Sequence, residues 1–254
     1  MSNKIFKSKT ILAGLNAKTV KGDDVYVTAI MYLAPAKQAL MGNVCPMAEM
    51  AGCEMGCLSK AGRAGMFSSI VEARIAKTRR YFASREAFMA ELVRDIEKFV
   101  KWCAKHDVKP AVRLNGTSDI QWEVAHPCVR FGGYYESIFT AFPMVEFYDY
   151  TKIYKRVSRK LPANYTLTLS YSEANRAYAD AIKQAATWSR VNVAVVFRSK
   201  AVRDSYMAST FEGVEVLDGD ETDMRFLDPK GATHVIGLYA KGPAKKDTSG
   251  FVID

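Results

Sequence analysis

The chain has 254 residues, 49% of them hydrophobic, enough for one large α/β domain with a full core. No apolar run reaches the length of a membrane span and the N-terminal stretch lacks the apolar centre of a signal peptide, so a cytoplasmic protein with no membrane partner is expected. Lys and Arg outnumber Asp and Glu by 36 to 27, a net charge of +9; the excess favours an anionic partner, whether nucleic acid, nucleotide or phosphorylated small molecule, without choosing among them.

Residues 1–24 are basic and mixed, with a turn at Lys21-Gly-Asp-Asp24. Val25 to Leu33 is a β-rich apolar run and reads as a buried strand, which Pro35 ends. Residues 36–65 then form a long loop, and loops of this length in compact domains are usually functional. The loop holds Cys45, Cys53 and Cys57, three of the five cysteines, in the pattern Cys-x7-Cys-x3-Cys. No helical or strand period explains that spacing. Closely spaced thiols suit a soft metal or an iron–sulfur cluster, and three protein ligands leave one position open for chemistry. Buried apolar cysteines and a structural zinc are the competing readings.

Phe67 to Phe82 reads as a helix with a basic face of Arg74, Lys77, Arg79 and Arg80. Ser84 caps the next helix, whose apolar stripe runs Phe88, Leu92, Ile96, Phe99 and Cys103. That stripe assigns Cys103 to the core. Lys109 to Leu114 is a strand leading into Asn115-Gly-Thr-Ser-Asp119, a turn of small polar residues. Such a turn either holds a carboxylate, amine or phosphate, or serves as an ordinary strand-to-helix turn. His126 is expected to be a satisfied structural histidine, with Cys128 as a candidate fourth ligand. Phe131-Gly-Gly-Tyr-Tyr135 is a glycine-hinged aromatic loop.

Met144 to Tyr148 is a strand that ends in Asp149-Tyr-Thr-Lys152. Lys152, Lys155, Arg156, Arg159 and Lys160, interleaved with Tyr150 and Tyr154, form a basic patch suited to phosphates and stacked bases, or to a solvated helix face. Thr166 to Tyr171 is a strand, 173–189 a helix, Asn192 to Phe197 a buried strand and 201–210 a helix. Val214 to Leu217 and His234 to Tyr239 are the last strands, followed by a polar tail from Lys241 to Asp254.

Strands alternating with helices predict a single α/β domain over 1–254 with a mainly parallel sheet, open or barrel-like. Polar residues recur at strand ends: Asn115, Ser118 and Asp119; Asp149 and Lys152; Ser170, Ser172 and Glu173; Arg198; Asp220 and Asp223. That clustering predicts one site at the carboxyl edge of the sheet.

Two resemblances meet on these residues. The run from Cys45 to Arg63, then Glu72 to Arg79, then Arg113 to Asp119, resembles the tailed-phage gene product eighty-eight family, which would place the protein in the host cytoplasm. The layout is also similar to radical S-adenosylmethionine enzymes. In that family a three-cysteine loop after the first strand of a partial (βα)6 barrel holds a [4Fe–4S] cluster, and a small-residue turn after the second strand holds S-adenosylmethionine. The resemblance implies Cys45, Cys53 and Cys57 as cluster ligands. Asn115, Gly116, Thr117 and Ser118 would be the cofactor turn, and Ser170, Ser172 and Glu173 would face the ribose. The spacing departs from the usual Cys-x3-Cys-x2-Cys of that family. The substrate implied is a nucleotide or a nucleic-acid-related molecule. The alternatives are a zinc-binding nucleic-acid-binding protein, and a zinc-dependent base-modifying transferase with Asp119 or Asp149 as nucleophile or general base.

Overall fold

The computed structural model describes residues 11–14, 25–57 and 67–254. One sheet organises them. β1 (Leu12–Ala13) pairs antiparallel with β2 (Tyr26–Met31). β2 lies parallel to β3 (Lys109–Arg113), β3 to β6 (Glu146–Thr151), and β6 to β7 (Tyr165–Ser170). β7 is followed by β8 (Val193–Phe197), then β10 (Val235–Tyr239), then β9 (Val216–Asp218) at the edge, all parallel. The expected α/β fold with a mainly parallel sheet is what forms. The path runs from β1 to β9, and among the described residues no pairing joins its two ends.

Alternation along each strand sorts the side chains to two faces. Val112, Phe147, Leu169 and Val195 point to one face and join the main core. The described helices pack there: α1 (Ser68–Ala83) through Tyr81, α2 (Arg85–Lys105) through Phe88 to Cys103, the short α3 (Ile138–Ala141) through Ile138, α4 (Arg176–Ser189) through Tyr178 and Ile182, and α5 (Lys200–Met207) through Val202. Ser84 caps α2 as its sequence foretells, accepting from Ala87 N–H at 3.2 Å. Cys103 is fully buried on the α2 stripe. The opposite face of the sheet carries Ala111 and Tyr148, covered by Met224 and Phe226.

Two features differ from the sequence reading. The aromatic loop at Phe131 is a hairpin, β4 (Cys128–Arg130) with β5 (Gly133–Tyr135). Its turn puts Phe131 and Gly132 at positive φ. β10 lies between β8 and β9. The stretch from Lys241, expected as a polar tail, ends in β11 (Val252–Ile253), parallel to the last residues of β8. Phe251, Val252 and Ile253 are apolar and buried, and that local signal outweighs the polar composition around them.

Among the described residues no helix is long and apolar enough to cross a membrane.

Candidate functional site

The cysteine loop leaves β2 at the carboxyl edge of the sheet and is fastened there by the turns that leave β3 and β7. Gly116 N–H donates to Met31 C=O at 3.0 Å, Asp119 N–H to Val44 C=O at 2.8 Å, and Ser172 Oγ to Ala51 C=O at 2.7 Å. Thr117 Oγ1 donates to Leu33 C=O at 2.5 Å. Near the chain end, Ser249 Oγ donates to Gly52 C=O at 2.8 Å. Gly116 is required by this packing, because a Cβ there would sit 2.6 Å from the Met31 carbonyl oxygen.

Cys45, Cys53 and Cys57 lie within one another's electrostatic reach, with Asp119 and Lys152 beside them. Cys45 Sγ approaches Thr117 C=O and Cys53 Sγ approaches Ala48 C=O, each at 3.7 Å. Burial pushes the Cys45 thiol up to about 12 and raises Cys53 as well. Lys152 pulls Cys53 the other way, and Arg74 is close enough to feel Cys57. Thiolates here therefore need a cation, because ligation requires the deprotonated form. The donors suit a soft metal or a cluster in kind. Among the described residues, however, no group of three His, Cys, Asp or Glu side chains is gathered as a ligand set. The remainder of the loop, 58–65, lies outside the described residues.

Asn115 is the hub of its turn. Its Oδ1 accepts from Ser118 Oγ at 2.8 Å, Ile120 N–H at 3.0 Å and Trp122 Nε1 at 3.1 Å. Its own N–H and Nδ2 donate to Asp149 at 2.6 and 3.1 Å, and Tyr165 OH donates to the same carboxylate at 2.9 Å. Asp119 accepts from Thr151 Oγ1 (2.8 Å), Lys152 N–H (2.7 Å) and Arg156 Nη1 (2.9 Å). Both carboxylates are thus engaged in holding the turn. Ser170 Oγ accepts from Lys152 Nζ at 3.0 Å. Glu173 instead lines a cleft of about 430 Å³ with Arg198, Tyr206 and Glu212.

Burial pushes Asp149 up to about 7, against the opposing pull of Asn115 N–H, Arg113 and Arg156. A carboxyl group raised in the folded state keeps a proton that the unfolded chain releases near ~4. Its stabilising contribution is complete below ~4 and is lost as the pH rises through about 7. Urea unfolding between pH 4 and 8 should show this decline, and Asp149→Asn should flatten it. Equal pH slopes in the two proteins would contradict the assignment.

Several basic residues are not solvent-facing. Arg156, from the expected basic patch, is fully buried and paired with Asp119 and Glu123; Lys155, Arg159 and Lys160 remain exposed. On α1, Arg74 is buried over Tyr32 and Lys77 donates to Ile11 C=O at 3.1 Å. Burial also lowers Lys77 to about 8. His126 is structural: its Nδ1 bonds to Val124 C=O at 2.6 Å and its Nε2 to Tyr81 OH at 2.9 Å. Cys128 lies in the main core. Sequence reading misses Arg113, Tyr150 and Arg225 as a group. A charge inside the apolar strand Ala111-Val-Arg-Leu114 is the signal that points to it.

No curated protein and no solved structure matches this chain. The model of the Gene product 88 family matches it over residues 5–254. With a match of that extent, the chain belongs to the Gene product 88 family, a family of phage gene products.

Proposed function

We propose that the protein is an iron–sulfur enzyme of the radical S-adenosylmethionine type, acting on a nucleotide or nucleic-acid-related substrate. One observation carries this reading. β2, β3, β6, β7, β8 and β10 lie side by side in chain order and parallel. The cysteine loop leaves the first of them and packs on the turn that leaves the second. That order supports a partial (βα)6-type barrel with its reactive edge at the strand carboxyl ends. A [4Fe–4S] cluster on Cys45, Cys53 and Cys57, when bound, would supply the electron that cleaves S-adenosylmethionine.

The chain's own residues have separable tasks in this reading. Asn115 shapes the turn and presents Thr117 and Ser118 beside the loop. Lys152 supplies positive charge beside Cys53, and Ser170 offers a hydroxyl at the same edge. Asp119 and Asp149 brace the turn.

A zinc-stabilised, nucleic-acid-binding module is the second reading. It is favoured by how many polar side chains of the edge are spent on fastening the loop. Anaerobic purification and reconstitution separates the two. A brown protein with stoichiometric iron and sulfide that cleaves S-adenosylmethionine on reduction is the expected result. A colourless zinc protein supports the second reading, and a reconstituted protein that neither binds nor cleaves the cofactor ends the first.

A further inference from the structure

The sheet face opposite the helices carries charge that the fold does not fully satisfy by hydrogen bonding. Arg113, the last residue of β3, is 4% exposed, and Arg225 is 1% exposed. The Arg113 guanidinium lies 4.7 Å from the centre of the Tyr150 ring, which comes from neighbouring β6. Arg225 belongs to the segment that lays Phe226 against Tyr26 and Tyr148 on this same face. Both guanidiniums act electrostatically on the Tyr150 hydroxyl.

Arg113 Nε, Arg225 Nε and Nη1, and Tyr150 OH are all buried without a hydrogen-bond partner. Arg225 Nη2 donates to the Gly219 and Thr222 carbonyls, which leaves Nε and Nη1 without a hydrogen bond. Stranding such groups is costly, most of all when they are charged. Nearby carboxylates supply counter-charge but not these hydrogen bonds. The Asp149 oxygens are taken by Asn115 and Tyr165. Asp228 Oδ2 is ion-paired with Arg225 Nη1 at 3.4 Å, without the geometry of a hydrogen bond. Asp223 is within electrostatic reach of Arg113 and Tyr150. Arg156 makes the contrast. That equally buried arginine donates from Nε, Nη1 and Nη2 to Glu123, Asp119 and Tyr165 at 2.8–2.9 Å. The fold satisfies a structural arginine when it needs one.

Guanidinium forks and a phenol match the acceptor geometry of a carboxylate or phosphate. We propose that Arg113, Arg225 and Tyr150 form an oxyanion site on this face, binding the carboxylate or phosphate group of a small-molecule ligand. The site stands near the carboxyl edge, because Arg113 ends its strand. It does not depend on what the cysteines hold.

The test is thermal unfolding of the protein as purified, titrated with inorganic phosphate and separately with acetate, against sodium chloride at matched ionic strength. A saturable rise in Tm is expected, since a ligand bound only by the folded state stabilises it. A response to phosphate alone assigns a phosphorylated ligand, and one to acetate alone a carboxylate. Arg113→Met should abolish the response, read against that variant's own unliganded Tm. Tyr150→Phe keeps the ring and should weaken apparent affinity about tenfold, the loss of one hydrogen bond to a charged group. No saturable response beyond that of chloride overturns the proposal, as does an undiminished response in both variants. Should Arg113→Met fail to fold, equal affinities in the parent and Tyr150→Phe overturn it.

Discussion

Arg156→Met should cost the protein about 3–5 kcal/mol of stability, the usual consequence of removing one partner from a buried ion pair. Arg156 holds the two oxygens of Glu123 with Nε and Nη2 at 2.9 and 2.8 Å, and Asp119 with Nη1 at 2.9 Å. Both carboxylates are almost fully buried, at 7% and 9% side-chain exposure. Methionine fills much of the volume but leaves two anions without a counter-charge. Tyr165 OH, which takes a hydrogen bond from Nη2 and passes its own to Asp149, loses its donor as well. Arg156→Lys should recover only part of the loss, because one ammonium cannot reproduce the bidentate fork. Urea unfolding at neutral pH measures both. A loss under about 1 kcal/mol for Arg156→Met, the range of exposed pairs, would show that the carboxylates escape to water.

Cys53→Ala should remove bound iron and sulfide from the reconstituted protein while leaving the fold in place. The thiol is part of the fastened loop, but Ser172, Ser249 and Asp119 hold that loop independently of it. The stability cost should therefore stay near ~1 kcal/mol, as for a small buried truncation. Cys103→Ala is the control: that sulfur sits in the core among the α2 stripe and should change stability without changing iron content. Iron and sulfide at parental stoichiometry in Cys53→Ala would remove Cys53 from the ligand set. Zinc lost from Cys53→Ala, where the parent held zinc and no iron, would move the assignment to the structural reading.

What the sequence discloses follows from how local each signal is. Strand and helix periods depend on neighbours a few residues away, so β2, β3, β6, β7, β8 and the Cys103 stripe are legible in the sequence alone. The satisfied His126 is legible for the same reason, since one of its two partners, Val124, lies two positions away. Arg156 is not. Its neighbours Lys155, Arg159 and Lys160 are exposed, and the partner that buries it, Glu123, is 33 positions distant. The pairing of Arg113 with Tyr150 across β3 and β6 is hidden by the same kind of distance. The placing of β10 between β8 and β9 is a property of the assembled sheet. In the candidate site, the cysteines and the Asn115–Asp119 turn stand out as separate motifs. Their mutual packing is a product of the fold.

The fastening of Gly52 by Ser249 spans 197 positions of chain. The clamp therefore imposes an order in time. As synthesis proceeds, the cysteine loop emerges early, together with β2, and waits for nearly the whole sheet before its last restraint exists. β11 arrives later still, paired with Val196 and Phe197 of β8. Contacts of such sequence separation close slowly. Until residues near 250 are in place, Gly52 and the adjacent Cys53 lack this restraint, and the loop is held only by the turns that leave β3 and β7.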